Sequence, residues 1–343
     1  AQDIKARVRY YGCPAEEGGA AKTYMVREGL FDDVDAAISW HPATFTSVNE
    51  AVSLANTRID FTFHGKAAHA AGAPELGRSA LDAVELMNIG VNYMREHMPD
   101  SARVHYAYLD AGGVAPNVVQ ARATVRQLIR ASSLPDLREL VARVRKIADG
   151  AALMTETRVE SKVFSGVSNL LGNRPLEEAM QAELDRLGPV PFDAEDEVFA
   201  REIQKTLTEA DIAATFRRIG RTPDPDLALC DFVAPLDRQR EGGEGSTDVG
   251  DVSRAVPTVS VRTATWVPGT AAHSWQAVAA SGHSYGAKGT QHAAKAMMLA
   301  AVELYTNPQL RETAKAEFIA ARGEDYVYES LLGDRAPPLD YRK

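Results

Sequence analysis

The stretch Tyr11-Gly12-Cys13-Pro14-Ala15-Glu16-Glu17-Gly18-Gly19 decides how the chain is read. Before it, Ile4, Ala6, Val8 and Tyr10 alternate with polar residues, the period-two pattern of a strand over Ile4–Tyr11. After it, Ala20 to Glu28 carries a helical pattern closed by Gly29, a residue that ends helices readily. Ala36 to Trp40 then forms a short apolar strand that delivers His41-Pro42. Strand, helix and strand in this order describe an α/β layer. The loop between the first two elements sets two like charges side by side, framed by Pro14 and two glycines. Neighbouring side chains on an extended loop point apart. One carboxylate can therefore hold a metal while the other reaches a water on it, the division of labour that hydrolytic zinc chemistry needs. A solvated acidic turn is the plainer reading of a bare Glu-Glu pair.

Outward from this loop, a second pattern begins. Thr57 to His64 alternates through Ile59, Phe61 and Phe63. Ser79 to Met98 is amphipathic, with Ala83, Val84, Met87, Val91 and Met94 on one side. Strands are expected at Val104–Leu109, Ala123–Ile129 and Thr157–Phe164, with a helix over Leu134–Met154. The sum is β-α-β-β-α-β, the ferredoxin-like split unit. It is expected to occupy 53–166 as an inserted lid, with 1–52 and 167–343 forming one α/β layer, a mixed sheet with helices on both faces. Beyond it the pattern predicts helices at Arg174–Leu187 and Asp196–Glu209, and a buried strand at Val256–Val261. A long helix over Gly289–Tyr305 and a charged one over Pro308–Arg322 follow. A Gly-rich loop covers Gly242 to Asp248, and Ala336 to Lys343 reads as a loosely held tail.

The 343 residues are 45% hydrophobic and 25% charged, enough for a large core and about two domains. A net charge of −9 argues against nucleic acid, whose affinity rests on clustered Lys and Arg. No apolar run approaches the ~20 residues a membrane span requires. Two cysteines, Cys13 and Cys230, do not make a disulfide framework and suit a reducing, cytoplasmic setting. The chain opens on Ala1 rather than Met and enters a strand almost at once.

Eight histidines are distributed unevenly. His41, before Pro42, sits on extended backbone at a strand end. His273 lies in a loop between a core strand and a helix, and His69 follows Gly65-Lys66-Ala67-Ala68 on the first lid connection. His97, His105, His283 and His292 lie on or near regular elements and read as structural. Together these pieces resemble the zinc-dependent aminoacylase and carboxypeptidase family of peptidases, in its amidohydrolase branch. The resemblance rests on Pro14 to Gly19, His41-Pro42, Gly65-Lys66-Ala67-Ala68-His69-Ala70 and Gly112-Gly113-Val114-Ala115-Pro116-Asn117-Val118. Arg130, Gly245-Ser246-Thr247-Asp248 and His273-Ser274 continue the same order, so the match spans nearly the whole chain.

The resemblance implies a role for each residue. Glu16 is the general base, and Glu17 and His41 share one zinc. His273 holds the other of two zinc ions, with manganese or cobalt as alternatives. His69 stabilises the oxyanion from the lid of a neighbouring subunit. Asn117 and Arg130 hold the substrate's amide or carboxylate. A guanidinium gives a planar two-pronged grip on a carboxylate, although a surface salt bridge is the bland alternative for Arg130. The implied activity is cleavage of an N-acyl amino acid at its amide, an aroyl-glutamate such as p-aminobenzoyl-glutamate. The implied assembly is a homodimer through the lid, with a second, related chain as a further partner. The family's upstream His-x-Asp ligands have no counterpart in this sequence, which therefore reads as the C-terminal two-thirds of such an enzyme. Two alternatives stay open: another N-acyl amino-acid deacylase, or a catalytically incomplete homologue that serves only for dimerisation.

Overall fold

The structure is a computed structural model and describes residues 5–237 and 245–339. It is an α/β protein with two sheets. The first is mixed and three-stranded, from β1 (Ala37–Ala43), β2 (Ser47–Val48) and β7 (Thr258–Ala264), in the order β1-β7-β2. β1 runs parallel to β7 with His41 opposite Arg262, and β2 runs antiparallel. Alternation along strands gives this sheet two different faces. Ile38, Trp40, Val259 and Val261 join an apolar cluster with α4 (Arg174–Leu187), α9 (Ser284–Thr306) and α10 (Pro308–Arg322). The intervening residues Ser39, His41, Ser260 and Arg262 line a basin instead.

The second sheet is antiparallel. β3 (Ala55–His64), β4 (Arg103–Asp110), β5 (Arg122–Ala131) and β6 (Arg158–Val167) stand in the order β4-β5-β3-β6. Its helices, α2 (Ala80–Met94) and α3 (Leu134–Met154), bury Met87, Val91, Leu137, Leu140 and Val144 against Ile59, Phe61 and Phe63. Each helix starts on a serine cap, Ser79 and Ser133, whose hydroxyl accepts the amide three residues on. This is the β-α-β-β-α-β unit that the hydrophobic periodicity predicts.

The two sheets are joined through α7 (Val249–Ala255) and the loop before it. Leu54, just before β3, donates its amide to the Gly245 carbonyl at 3.0 Å. Leu171, just after β6, donates to Ser253 Oγ at 2.9 Å, and Arg254 reaches Asn169 at 2.7 Å. The C-terminal segment crosses the same junction: Leu331 packs against the second core, and Arg335 donates to the Phe164 carbonyl. Tyr24 donates to the Ala336 carbonyl at 3.4 Å, so the expected loose tail is tied at its root, while Leu339 is 95% exposed.

Several expectations are corrected. Residues 5–11 form no strand, and Val8 and Tyr10 are 76% and 93% exposed. Alternation makes a strand only beside a partner, and among the described residues none lies alongside. The segment is held instead by an Arg9–Asp33 ion pair at 2.6 Å and by Tyr11, which stacks on Phe31 and donates to the Leu30 carbonyl. The helix expected at Asp196–Glu209 is α5 (Ala194–Gln204), which ends five residues earlier, and α6 (Glu209–Arg217), opened by a capping box between Thr208 and Asp211, had no expected counterpart. α8 (Trp275–Ser281), α7 and β2 had no expected counterpart. Gly242, Gly243 and Glu244 of the Gly-rich loop lie outside the described residues.

Candidate active site

Ala15 takes a left-handed backbone, φ 60°, and its carbonyl receives the amides of Gly19 and Ala20 at 2.8 and 2.9 Å. This tight turn lifts Glu16 and Glu17 ahead of α1 (Ala21–Arg27). Ala20 gives α1 no side-chain cap. Asp248 supplies one from a distant segment: it accepts the Lys22 amide at 3.1 Å and pairs with Lys22 Nζ at 2.8 Å, with its own side chain fully buried. The turn that carries the two glutamates is thus braced from the Gly245–Asp248 loop.

Glu16 is half-buried and Glu17 exposed. Burial pushes the Glu16 carboxyl above the usual carboxylate range. A hydrogen bond from Thr247 opposes that rise, and the charges of Asp248 and Glu17 add to it. His273, at φ 62°, brings Nε2 to 3.8 Å from Glu17 Oε1. His41 donates Nδ1–H to the Pro42 carbonyl at 2.6 Å, since a carbonyl can only accept. That fixes its tautomer and leaves Nε2 as a lone-pair donor, the arrangement in which histidines bind metals. Dehydration lowers the pKa of the His41 imidazole; the hydrogen bond to Pro42 opposes that fall, and the charge of Arg262 adds to it.

Glu16, Glu17, His41 and His273 share one basin of about 410 Å³, the size of a small-molecule site. Around it Ser39 Oγ, Ser246 Oγ, Trp266 Nε1 and Thr270 Oγ1 are buried with no hydrogen-bond partner among the described residues. Such orphaned polar atoms concentrate where a ligand or ordered water completes the site. The donors suit a divalent ion in kind, a carboxylate and imidazoles. In number they fall short: no three of the Asp, Glu, His and Cys groups among the described residues close into a metal-sized cluster.

His69, Asn117 and Arg130 lie outside the basin. His69 and Asn117 share the tip of the second sheet, where the Ala70 amide meets the Asn117 carbonyl at 2.9 Å. His69 Nδ1 accepts the amides of Ala71 and Gly72 at 3.2 and 3.0 Å. Its proton therefore sits on Nε2, making the exposed ring a hydrogen-bond donor. Arg130 faces Asn56 at the opposite end of β5, eight residues beyond the Arg122–His64 pair, or about 26 Å along a strand. Partial burial and neighbouring Arg58 both lower the pKa of its guanidinium. Among the described residues no carboxylate pairs with it. Sequence reasoning missed Thr247, Arg218 and Arg262 as basin residues. Thr247 lay within a motif already quoted, whereas Arg218 depends on α6, a helix the sequence pattern had not predicted.

Residues 55–155 match the family model described as Peptidase dimerisation domain. The chain is 45% identical over 320 residues to one of the two subunits of the p-aminobenzoyl-glutamate hydrolase of Escherichia coli (strain K12), covering 90% of this chain and 66% of that protein. The aminobenzoyl-glutamate utilization protein of Klebsiella pneumoniae superposes with a TM-score of 0.52 at 19% identity, over 86% of this chain and 60% of that one. A Bacillus subtilis protein described as a dinuclear metal binding peptidase from the M20 family superposes at 0.50 and 15% identity, over 85% and 64%. At those identities the likeness is one of fold. The chain spans 66% of the length of the curated relative and 60–64% of these solved structures.

Proposed function

This chain belongs to the M20 peptidase family, and from that membership and the basin's geometry we propose that it acts as an amidohydrolase on N-acyl amino acids. The substrate in this reading is p-aminobenzoyl-glutamate, cleaved to p-aminobenzoate and glutamate in the cytoplasm. One observation carries it: a half-buried glutamate of raised pKa beside an exposed one, on the same basin as two histidines. Glu17, His41 and His273 would hold divalent metal, zinc in the first instance. Bound metal would polarise the amide carbonyl and acidify water. Glu16 takes a proton from the attacking water and returns it to the leaving amine, a task suited to a carboxylate of raised pKa. His69 Nε2–H donates to the developing oxyanion. Arg130, at the end of the lid joined to its own basin, holds a substrate carboxylate, with Asn117 beside the amide.

The lid at 53–166 pairs with its copy in this reading, and the two tips reach into opposite basins. A chain related to the other component of the E. coli hydrolase, itself 31% identical to this one over 160 residues, is a further candidate partner under the same chemistry. A second reading, an incomplete homologue that only dimerises, is favoured by the shortfall of clustered donors. Metal content and turnover separate the two. Glu16→Gln should retain the zinc of the unmodified protein and lose about 10²–10⁴-fold in p-aminobenzoyl-glutamate hydrolysis. Near-normal turnover in Glu16→Gln would overturn the role of Glu16. No zinc and no turnover in the unmodified protein would favour the scaffold.

A further inference from the structure

Asp251, on α7, has no exposed surface and no bonded cation among the described residues, yet its carboxylate accepts four hydrogen bonds. Oδ2 takes Thr23 Oγ1 at 3.0 Å and the Ser168 amide at 3.1 Å. Oδ1 takes Ser168 Oγ at 3.1 Å and the Tyr328 hydroxyl at 2.8 Å. Four acceptances nearly saturate a carboxylate. Burying a carboxylate with no cation bonded to it is costly, and an apolar side chain would fill the space more cheaply. Its use lies in what it joins. Thr23 is on α1, directly behind the Glu16–Glu17 turn, and Ser168 is the residue that follows β6. Tyr328 arrives on the C-terminal segment, whose Leu331 packs into the lid core three residues later. The contact has no slack, because a Cβ on Gly250 would stand 1.9 Å from the Ser168 carbonyl oxygen.

We infer that Asp251 is a positioning residue: one buried acceptor that fixes the angle between the lid and the helix behind the Glu16–Glu17 turn. Lid-borne Arg130 and basin-borne Glu16 thereby meet a substrate in one geometry. The catalytic half of this statement rests on the hydrolase reading. The conformational half stands without it.

Two substitutions at this position separate geometry from charge. In Asp251→Asn the amide oxygen still accepts from Thr23 and the Ser168 amide. Its NH2 donates to Ser168 Oγ and the Tyr328 oxygen, hydroxyls that rotate to accept. Asp251→Ala loses all four bonds. Spin labels at Leu153→Cys on the lid and Asp32→Cys beyond α1, both exposed, in a Cys13→Ser background, report the angle without turnover. Unmodified protein and Asp251→Asn should share one narrow distance distribution, and Asp251→Ala should broaden or shift it. Without labels, Asp251→Ala should keep its metal and lose about 10²-fold in kcat/KM, the scale of a misplaced reacting group, and Asp251→Asn should restore most of it. An unchanged distribution in Asp251→Ala overturns the inference, as does Asp251→Asn behaving like Asp251→Ala. Should Asp251→Ala not fold, Thr23→Val and Tyr328→Phe each remove one donor and should broaden the distribution; if both leave it unaltered, the inference falls. An unmodified protein that hydrolyses nothing sinks the hydrolase reading and leaves the distance measurement to decide this one.

Discussion

Adjacent glutamates are electrostatically awkward, and their environments separate them. Glu16 is turned toward Thr247 and Asp248 and loses water, whereas Glu17 stays exposed and comes within 3.8 Å of His273. A base needs a carboxyl whose proton affinity approaches the working pH, and a metal ligand needs an accessible charged oxygen. Glu17→Gln should therefore lose bound zinc together with turnover, unlike Glu16→Gln. Elemental analysis of purified Glu17→Gln checks this, and full metal occupancy would remove Glu17 from the ligand set. That the two glutamates share one loop was legible in the sequence; that one is half-buried and the other exposed was not. The tautomers of His41 and His69 were not legible either, since each depends on backbone atoms that the fold brings to a ring nitrogen.

At the scale of elements, legibility followed burial pattern. Strand β3 alternates buried and half-buried residues along its whole length, and α3 carries a long one-sided stripe, so both were readable. The first segment alternates equally well in sequence but has no partner strand among the described residues, and pairing is non-local information. Helix α6 had no expected counterpart, although its Thr208–Asp211 capping box is a local signal written in the sequence. The omission matters because Thr215, Arg218 and Ile219, on or just after α6, line the basin. Thr208→Ala should cost about 0.5–2 kcal/mol of stability, the usual worth of an N-cap. A denaturant midpoint indistinguishable from the unmodified protein would show that packing alone holds α6.

At the scale of the whole molecule, the lid has a core of its own and two edge strands, β4 and β6. Tyr106, Tyr108 and Leu109 on β4, with Ile89 and Tyr93 on α2, are 40–69% exposed. An open edge beside exposed aromatics is a pairing surface. Removing residues 53–166 and bridging the ends should therefore give a soluble monomer. Light scattering of that variant decides the point, and a persisting dimer would move the interface to the other layer.

The length of the lid sets up a stricter prediction. His69 stands at the tip and Arg130 at the root, about 26 Å along β5 from the Arg122–His64 pair at the tip end, so one lid does not bring both to a single substrate of ordinary size. If Arg130 serves its own basin, His69 serves another, and the other basin available in a dimer is the partner's. His69→Ala alone should lose about 10²–10³-fold in turnover, the usual worth of an oxyanion donor. Glu16→Gln alone should be similarly crippled. When the two inactive variants are mixed and allowed to exchange partners, half of the dimers should be mixed. In each mixed dimer one basin combines an intact Glu16 from one chain with an intact His69 from the other. Activity should return toward about a quarter of the unmodified level, because one site in four is then complete. Mixtures that stay inactive after exchange is verified by mass would return His69 to its own chain's basin or remove it from catalysis, and would leave the lid's length without a catalytic purpose.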